Sequence, residues 1–130
     1  GAAYRGQGQM CIRGSSAGRY IMDRPGHGAE SVTGRGAGGA RFRIISTGQG
    51  HTLSNAVMPT IKITGNPNSA ERVPGQTDVD VSESLVGDED FDWATDQLWS
   101  EIIDVVSGKL TMSEAVGESQ FAIHRIGPST

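Results

Sequence analysis

Between Arg41 and Asn66 lie two short apolar runs, each stopped by a glycine turn, and this arrangement restricts the fold more than any other stretch. Arg41-Phe42-Arg43-Ile44-Ile45-Ser46 alternates and then turns apolar, as a strand does when it enters a core. Thr47-Gly48-Gln49-Gly50 closes it. Thr60-Ile61-Lys62-Ile63-Thr64 alternates with period two, so its isoleucines share one face and Lys62 takes the other. Gly65-Asn66-Pro67-Asn68 ends that run. The unit from Ser46 to Asn66 therefore reads as strand, glycine loop, strand. Open α/β sheets bind ligands beyond the carboxyl ends of their strands, and glycines let successive backbone N–H groups turn toward an anion. Ser46 and Thr47 add hydroxyl donors, so the loop is a candidate site for an anionic or polyhydroxy acid. An ordinary tight turn accounts for the same letters.

The flanking sequence supplies the rest of a layered domain. Arg19-Tyr20-Ile21-Met22 is a short strand ended by Asp23-Arg24-Pro25-Gly26. Residues 29–40 contain four glycines (34, 36, 38 and 39), each costing a helix about 1 kcal/mol relative to Ala. A helix is still expected there, because two strands must be connected and glycines permit close packing on a sheet. Ser69 to Val73 reads as a short helical turn, and residues 74–90 as a polar, acidic loop. Phe91, Ala94, Leu98, Ile102, Val105 and Val106 recur at helical spacing, behind an N-terminus rich in Asp88, Glu89, Asp90 and Asp92. Thr111-x-x-Glu114 is a capping box opening a second, short helix to Val116. Phe121 to Ile126 reads as a last strand. The expected fold is a single layered α/β domain: a mixed or mainly parallel sheet of about four strands flanked by helices, Rossmann-like. Residues 1–18 lack either periodicity and read as a flexible arm or linker, leaving 19–130 as the domain.

Charge is divided. Residues 1–43 carry a net +5 and the remainder −9. A basic half can signal nucleic acid, yet this one has no lysine, few aromatics and no nucleic-acid motif. An acidic small molecule, or an acidic surface of another domain, suits it better. No run approaches the ~20 apolar residues of a membrane span. The single Cys11 excludes an internal disulfide and a Cys-rich zinc site. A cytoplasmic location is expected, with neither nucleic acid nor membrane as partner.

Several residues could carry chemistry. Gly34-Arg35-Gly36-Ala37-Gly38-Gly39 matches the dinucleotide fingerprint by letter, but it precedes a strand and no Asp or Glu follows until Glu71. Close packing and a helix stop explain it better. His51, in the glycine loop, is a candidate general base or metal ligand. His27 is a weaker candidate of the same kind, and His124 alternates with apolar neighbours as a structural residue would. Lys62 either faces solvent or reaches an anionic substrate. The acids at 88–92 lack spaced calcium ligands and serve better as helix-capping charge.

Taken together, the blocks resemble a known family. They are Tyr20-Ile21-Met22-Asp23-Arg24-Pro25-Gly26, Glu30-Ser31-Val32-Thr33-Gly34, Ala37-Gly38-Gly39-Ala40, Ser46-Thr47-Gly48-Gln49-Gly50, Asn55-Ala56-Val57-Met58-Pro59 and Ile61-Lys62-Ile63-Thr64-Gly65-Asn66-Pro67. Their order and spacing resemble the C-terminal region of the altronate/galactarate dehydratases, a family that includes sulfolactate sulfo-lyases. The ending, Ser107-Gly108-Lys109-Leu110-Thr111 with Phe121-Ala122-Ile123, is similar as well, so the likeness covers about residues 18–127. Two departures stand out: Gln49 where the family usually carries Arg, and His51-Thr52 where it often has Thr-Pro.

The resemblance implies the C-terminal domain of a sugar-acid hydro-lyase, longer than this chain and dependent on a divalent metal such as iron or manganese whose ligands lie outside it. It implies a small anionic sugar acid as substrate, and an upstream domain or partner subunit completing the active site; a homo-oligomer is also expected. Expected substrate-binding residues are Ser46, Thr47, Gly48, Gln49, Gly50, Asn55, Lys62 and Asn66, with His51 as the catalytic candidate. The alternatives are a stand-alone module for small carboxylates or phosphate, and a structural or oligomerisation domain without catalysis.

Overall fold

Parallel strands cannot be joined by tight turns and need connections of a dozen or more residues, which the predicted order of elements provides. The computed structural model describes residues 2–5, 19–22 and 26–123. Strands β1 (Ala2–Arg5) and β2 (Arg19–Met22) pair in parallel as a sheet of their own. Helix α1 (Gly28–Ala37) leads to β3 (Arg43–Ser46), and β4 (Thr60–Thr64) lies parallel to it. Helix α2 (Pro67–Arg72) and a 3-10 turn at Pro74–Gln76 lead to β5 (Val79–Asp80), which pairs in parallel with β4. The main sheet is thus three-stranded, in the order β3-β4-β5. Helices α3 (Glu83–Val86), α4 (Phe91–Val106) and α5 (Met112–Ala115) follow. This is an α/β fold with a small open parallel sheet flanked by helices.

Register decides which residues meet. Ile44 lies opposite Ile61, Ser46 opposite Ile63, and Ile63 opposite Val79, so these residues share one face. Helix α4 covers it: Ile61, Val79, Val81 and Val105 form a buried cluster, with Trp93, Ala94, Leu98 and Ile102 packed against it. The other face carries Arg43 opposite Thr60 and Ile45 opposite Lys62. Over it lie α1, the 53–58 loop and the stretch after α5. Val32, Leu53 and Met58 make a second core there, Gln120 N–H donates to the Ser54 carbonyl at 3.1 Å, and Ala122 N–H donates to Thr33 Oγ1 at 3.1 Å.

Local chemistry explains where elements begin and end. The Asp90 carboxylate accepts from Trp93 N–H at 2.9 Å and starts α4. The predicted capping box is formed in both directions, Thr111 Oγ1 accepting from Glu114 N–H and Glu114 from Thr111 N–H. Gly39, with φ of +93°, follows the end of α1, so the glycine string serves as packing surface and stop.

Three expectations need correction. The turn predicted at Ser69–Val73 is α2, which starts at Pro67 because the Asn66 side chain accepts from Asn68 N–H at 3.1 Å and Pro67 suits the first helical turn. The 74–90 loop contains β5 and α3, because Val79 and Val81 both point into the core. The last strand is absent over residues 121–123, which find no strand to pair with and leave Phe121 and Ile123 exposed; residues 124–126 lie outside the described residues. Of the arm expected over 1–18, only Ala2–Arg5 is described, as β1. Cys11 and His124 are also outside the described residues. Among the described residues no helix is long and apolar enough to cross a membrane.

Candidate functional site

A cleft of about 600 Å³ opens where the start of α1 meets β3 and the loop after it, and its walls include Gly28, Ser31, Arg35, Arg43, Ser46 and His51. One peptide group fixes its centre. The Leu53 carbonyl accepts from Arg43 Nη2 at 3.0 Å, and Leu53 N–H donates to His51 Nδ1 at 3.1 Å. Arg43 is only 6% exposed, held on the inward face of β3 with its guanidinium directed by that carbonyl. Gly28 lets the helix start come this close: a Cβ there would stand 2.5 Å from Leu53 Cδ1 and 3.6 Å from His51 Nε2.

The electrostatics favour an anion. Arg35 and Arg43 are fixed positive charges, and the first turn of α1 adds the positive end of a helix dipole. Burial pushes the His51 pKa below its ordinary value, and the charges of Arg43 and Lys62 push it further down. The imidazole is therefore neutral near pH 7, so the cleft's positive charge resides in its two guanidinium groups.

Lys62 lies deeper. It is fully buried, which corrects the solvent-facing alternative: β4 is the central strand and both its faces are covered. Its Nζ stands 3.9 Å from Glu118 Oε2, and among the described residues neither atom has a hydrogen-bond partner. Burial lowers the Lys62 pKa, while Glu118 and then Asp78 oppose that shift. Asp78 also ties β4 to the start of α5, its carboxylate accepting from Lys62 N–H at 2.7 Å and from Met112 N–H at 2.7 Å.

Among the residues expected from the sequence, the cleft brings together Ser46 and His51. The glycine loop turns the other way, toward α2: the Gly48 carbonyl accepts from Asn66 Nδ2 at 2.6 Å and from Ser69 Oγ at 2.7 Å. Gly50, with φ of +87°, closes on Val73, and Thr47 N–H donates to the Ile63 carbonyl at 3.0 Å. Asn66 thus uses both ends of its amide within the fold. Asn55 is buried and accepts from Val57 N–H at 3.1 Å. Gln49 is exposed on the loop, outside the cleft wall. Sequence reasoning missed Arg43, Arg35 and Ser31. The signal for Arg43 was its place in an alternating strand, where a charged residue faces inward only beside a polar pocket. Arg35 was hidden in the glycine string.

The pattern of the D-galactarate/altronate dehydratase C-terminal family matches residues 8–129. The chain belongs to this family. It is 33% identical over 109 residues to the (2R)-sulfolactate sulfo-lyase subunit beta of Chromohalobacter salexigens, an alignment covering 84% of this chain and 28% of that protein. The dehydratase-family domain thus spans under a third of that relative's length.

In this dehydratase-family domain, the cleft can bind carboxylate, sulfonate or phosphate oxygens through Arg35, Arg43, the Ser31 hydroxyl and His51. The cleft does not fit the divalent metal implied by the family resemblance. Among the described residues no carboxylate lines it, His51 Nδ1 is occupied by a backbone N–H, and the guanidinium groups repel a cation. Among the described residues no three His, Cys, Asp or Glu side chains converge as a metal site.

Proposed function

We propose that this chain is the C-terminal domain of a cytoplasmic lyase acting on hydroxy acids of the altronate, galactarate or sulfolactate kind, and that its α1–β3 cleft holds the substrate's anionic group. The convergence of Arg35, Arg43 and His51 on one cleft beside the helix start carries this reading. Elimination next to a carboxylate needs a base for the α-proton, stabilisation of the developing enediolate, and an acid for the leaving group. This chain supplies binding and orientation: Arg43 is pre-set by the Leu53 carbonyl, and Ser31 can take a remaining oxygen or hydroxyl. The base, and the ligands of an iron or manganese ion, are assigned to the part of the longer protein beyond this chain, because no carboxylate among the described residues lines the cleft.

A covering domain or partner subunit fits the surface. Helix α4 leaves Phe91 (71%), Trp99 (61%) and Val106 (57%) exposed, more large apolar area on one helix than a finished surface usually keeps. The test is a titration of the chain with galactarate, altronate, sulfolactate and phosphate, followed by amide NMR shifts and calorimetry. Shifts centred on Ser31, Arg35, Arg43, Ser46 and His51 support the reading. Silence there with every anion overturns it, whereas binding without turnover, even after the upstream region is supplied, favours a binding module.

A further inference from the structure

The peptide that follows His51 sets which ring nitrogen can do chemistry. A nitrogen that accepts a hydrogen bond presents a lone pair and carries no proton. Leu53 N–H donates to Nδ1 at 3.1 Å, and Leu53 cannot turn away, because its carbonyl is held by Arg43 Nη2 at 3.0 Å and its side chain is packed with Val32 and Met58. A neutral ring so bonded carries its proton on Nε2, the nitrogen nearer Gly28 at the first turn of α1. The opposite tautomer would set two N–H groups against each other across 3.1 Å. A doubly protonated ring would do the same, and would add a positive charge beside Arg43, Lys62 and a helix N-terminus.

We infer that His51 serves the cleft as a neutral Nε2–H hydrogen-bond donor to an anionic or enediolate oxygen, and is not the base that takes the substrate's α-proton. This rests on the cleft being the anion site, as proposed above. It replaces the general-base role suggested by the sequence with an electrophilic one: Nε2 has no lone pair to receive a proton, but its N–H stabilises negative charge growing on the substrate.

The test is a long-range ¹H–¹⁵N correlation of the histidine rings in the uniformly labelled chain near pH 7.5, with the His51 signals assigned by their loss in His51→Gln. The expected result is Nε2 protonated, Nδ1 unprotonated, and a shift of the Nε2–H signal on adding galactarate or phosphate. A proton on Nδ1, or an imidazolium at that pH, overturns the inference even if anions still bind through Arg35 and Arg43. The Nε2–H tautomer with no anion bound anywhere in the cleft sinks the proposed function and leaves the ring polarity standing. In affinity terms, His51→Gln, whose amide can still donate, retains most of the phosphate binding, and His51→Leu loses about tenfold. Equal losses in the two variants also count against a donor role.

Discussion

Lys62 is fully buried and His51 partly so, and that makes the chain's stability depend on pH. Folding holds the His51 pKa below its ordinary 6.5, so as pH falls the unfolded chain takes up the proton first. The contribution of the neutral ring is complete above about pH 6.5 and is lost as pH drops through the folded value. Denaturant titrations should therefore show the native chain losing more stability than His51→Gln between about pH 7.5 and 5.5. Lys62 makes a different prediction. Its only opposite charge within ion-pair distance among the described residues is Glu118, whose side chain is itself 31% exposed. Removing one partner leaves the other stranded, whereas replacing both removes the desolvation burden. Glu118→Gln should destabilise the fold by roughly 1–2 kcal/mol, and the pair Lys62→Met with Glu118→Gln should recover most of that loss, read by thermal or urea unfolding.

Elements were legible wherever a local rule agreed with the packing. Helix α4 shows its stripe and its Asp90 cap in the sequence, and α5 its capping box; Thr111→Ala should cost about 1 kcal/mol and fray α5, visible as faster amide exchange at Met112–Ala115. The glycine loop was legible as a turn but misread in direction. Its glycines bring a carbonyl to α2, where Gly50 combines a φ of +87° with only 2.8 Å of room before Val73 Cγ2. Gly50→Ala should therefore lose more than about 1 kcal/mol by urea unfolding, through backbone strain and overlap together. Asp78-Val79-Asp80-Val81 was period-two sequence in plain view, hidden by its acidic surroundings, and Phe121 to Ile123 had strand letters but no strand beside them among the described residues. The cleft was half legible. Ser46 and His51 adjoin glycines and drew attention, whereas Arg43 and Arg35 acquire meaning only once β3 and α1 are side by side.

At the scale of the molecule, the apolar residues of α4 divide. Leu98 and Ile102 turn toward the sheet, while Trp99 and Ile103 remain outside. An exposed apolar face of this kind should behave as a sticky surface when the 13.7 kDa chain is alone. Gel filtration is expected to show association, and the double variant Trp99→Lys with Ile103→Lys should elute as a monomer with little change in unfolding midpoint, because neither side chain contributes to the core.

The stretch after α5 also dictates an order of events. Thr33 and Ala122 meet across 89 positions, and the contact of Lys62 with Glu118 is likewise distant in sequence, whereas β3, β4 and β5 all lie within residues 43–80. Long loops close late, so the sheet can assemble before its lysine is covered. During refolding Lys62 should react with a brief pulse of an amine-acylating reagent at early times and become refractory in the last phase. A mass-spectrometric time course on that one peptide would report the final step of folding.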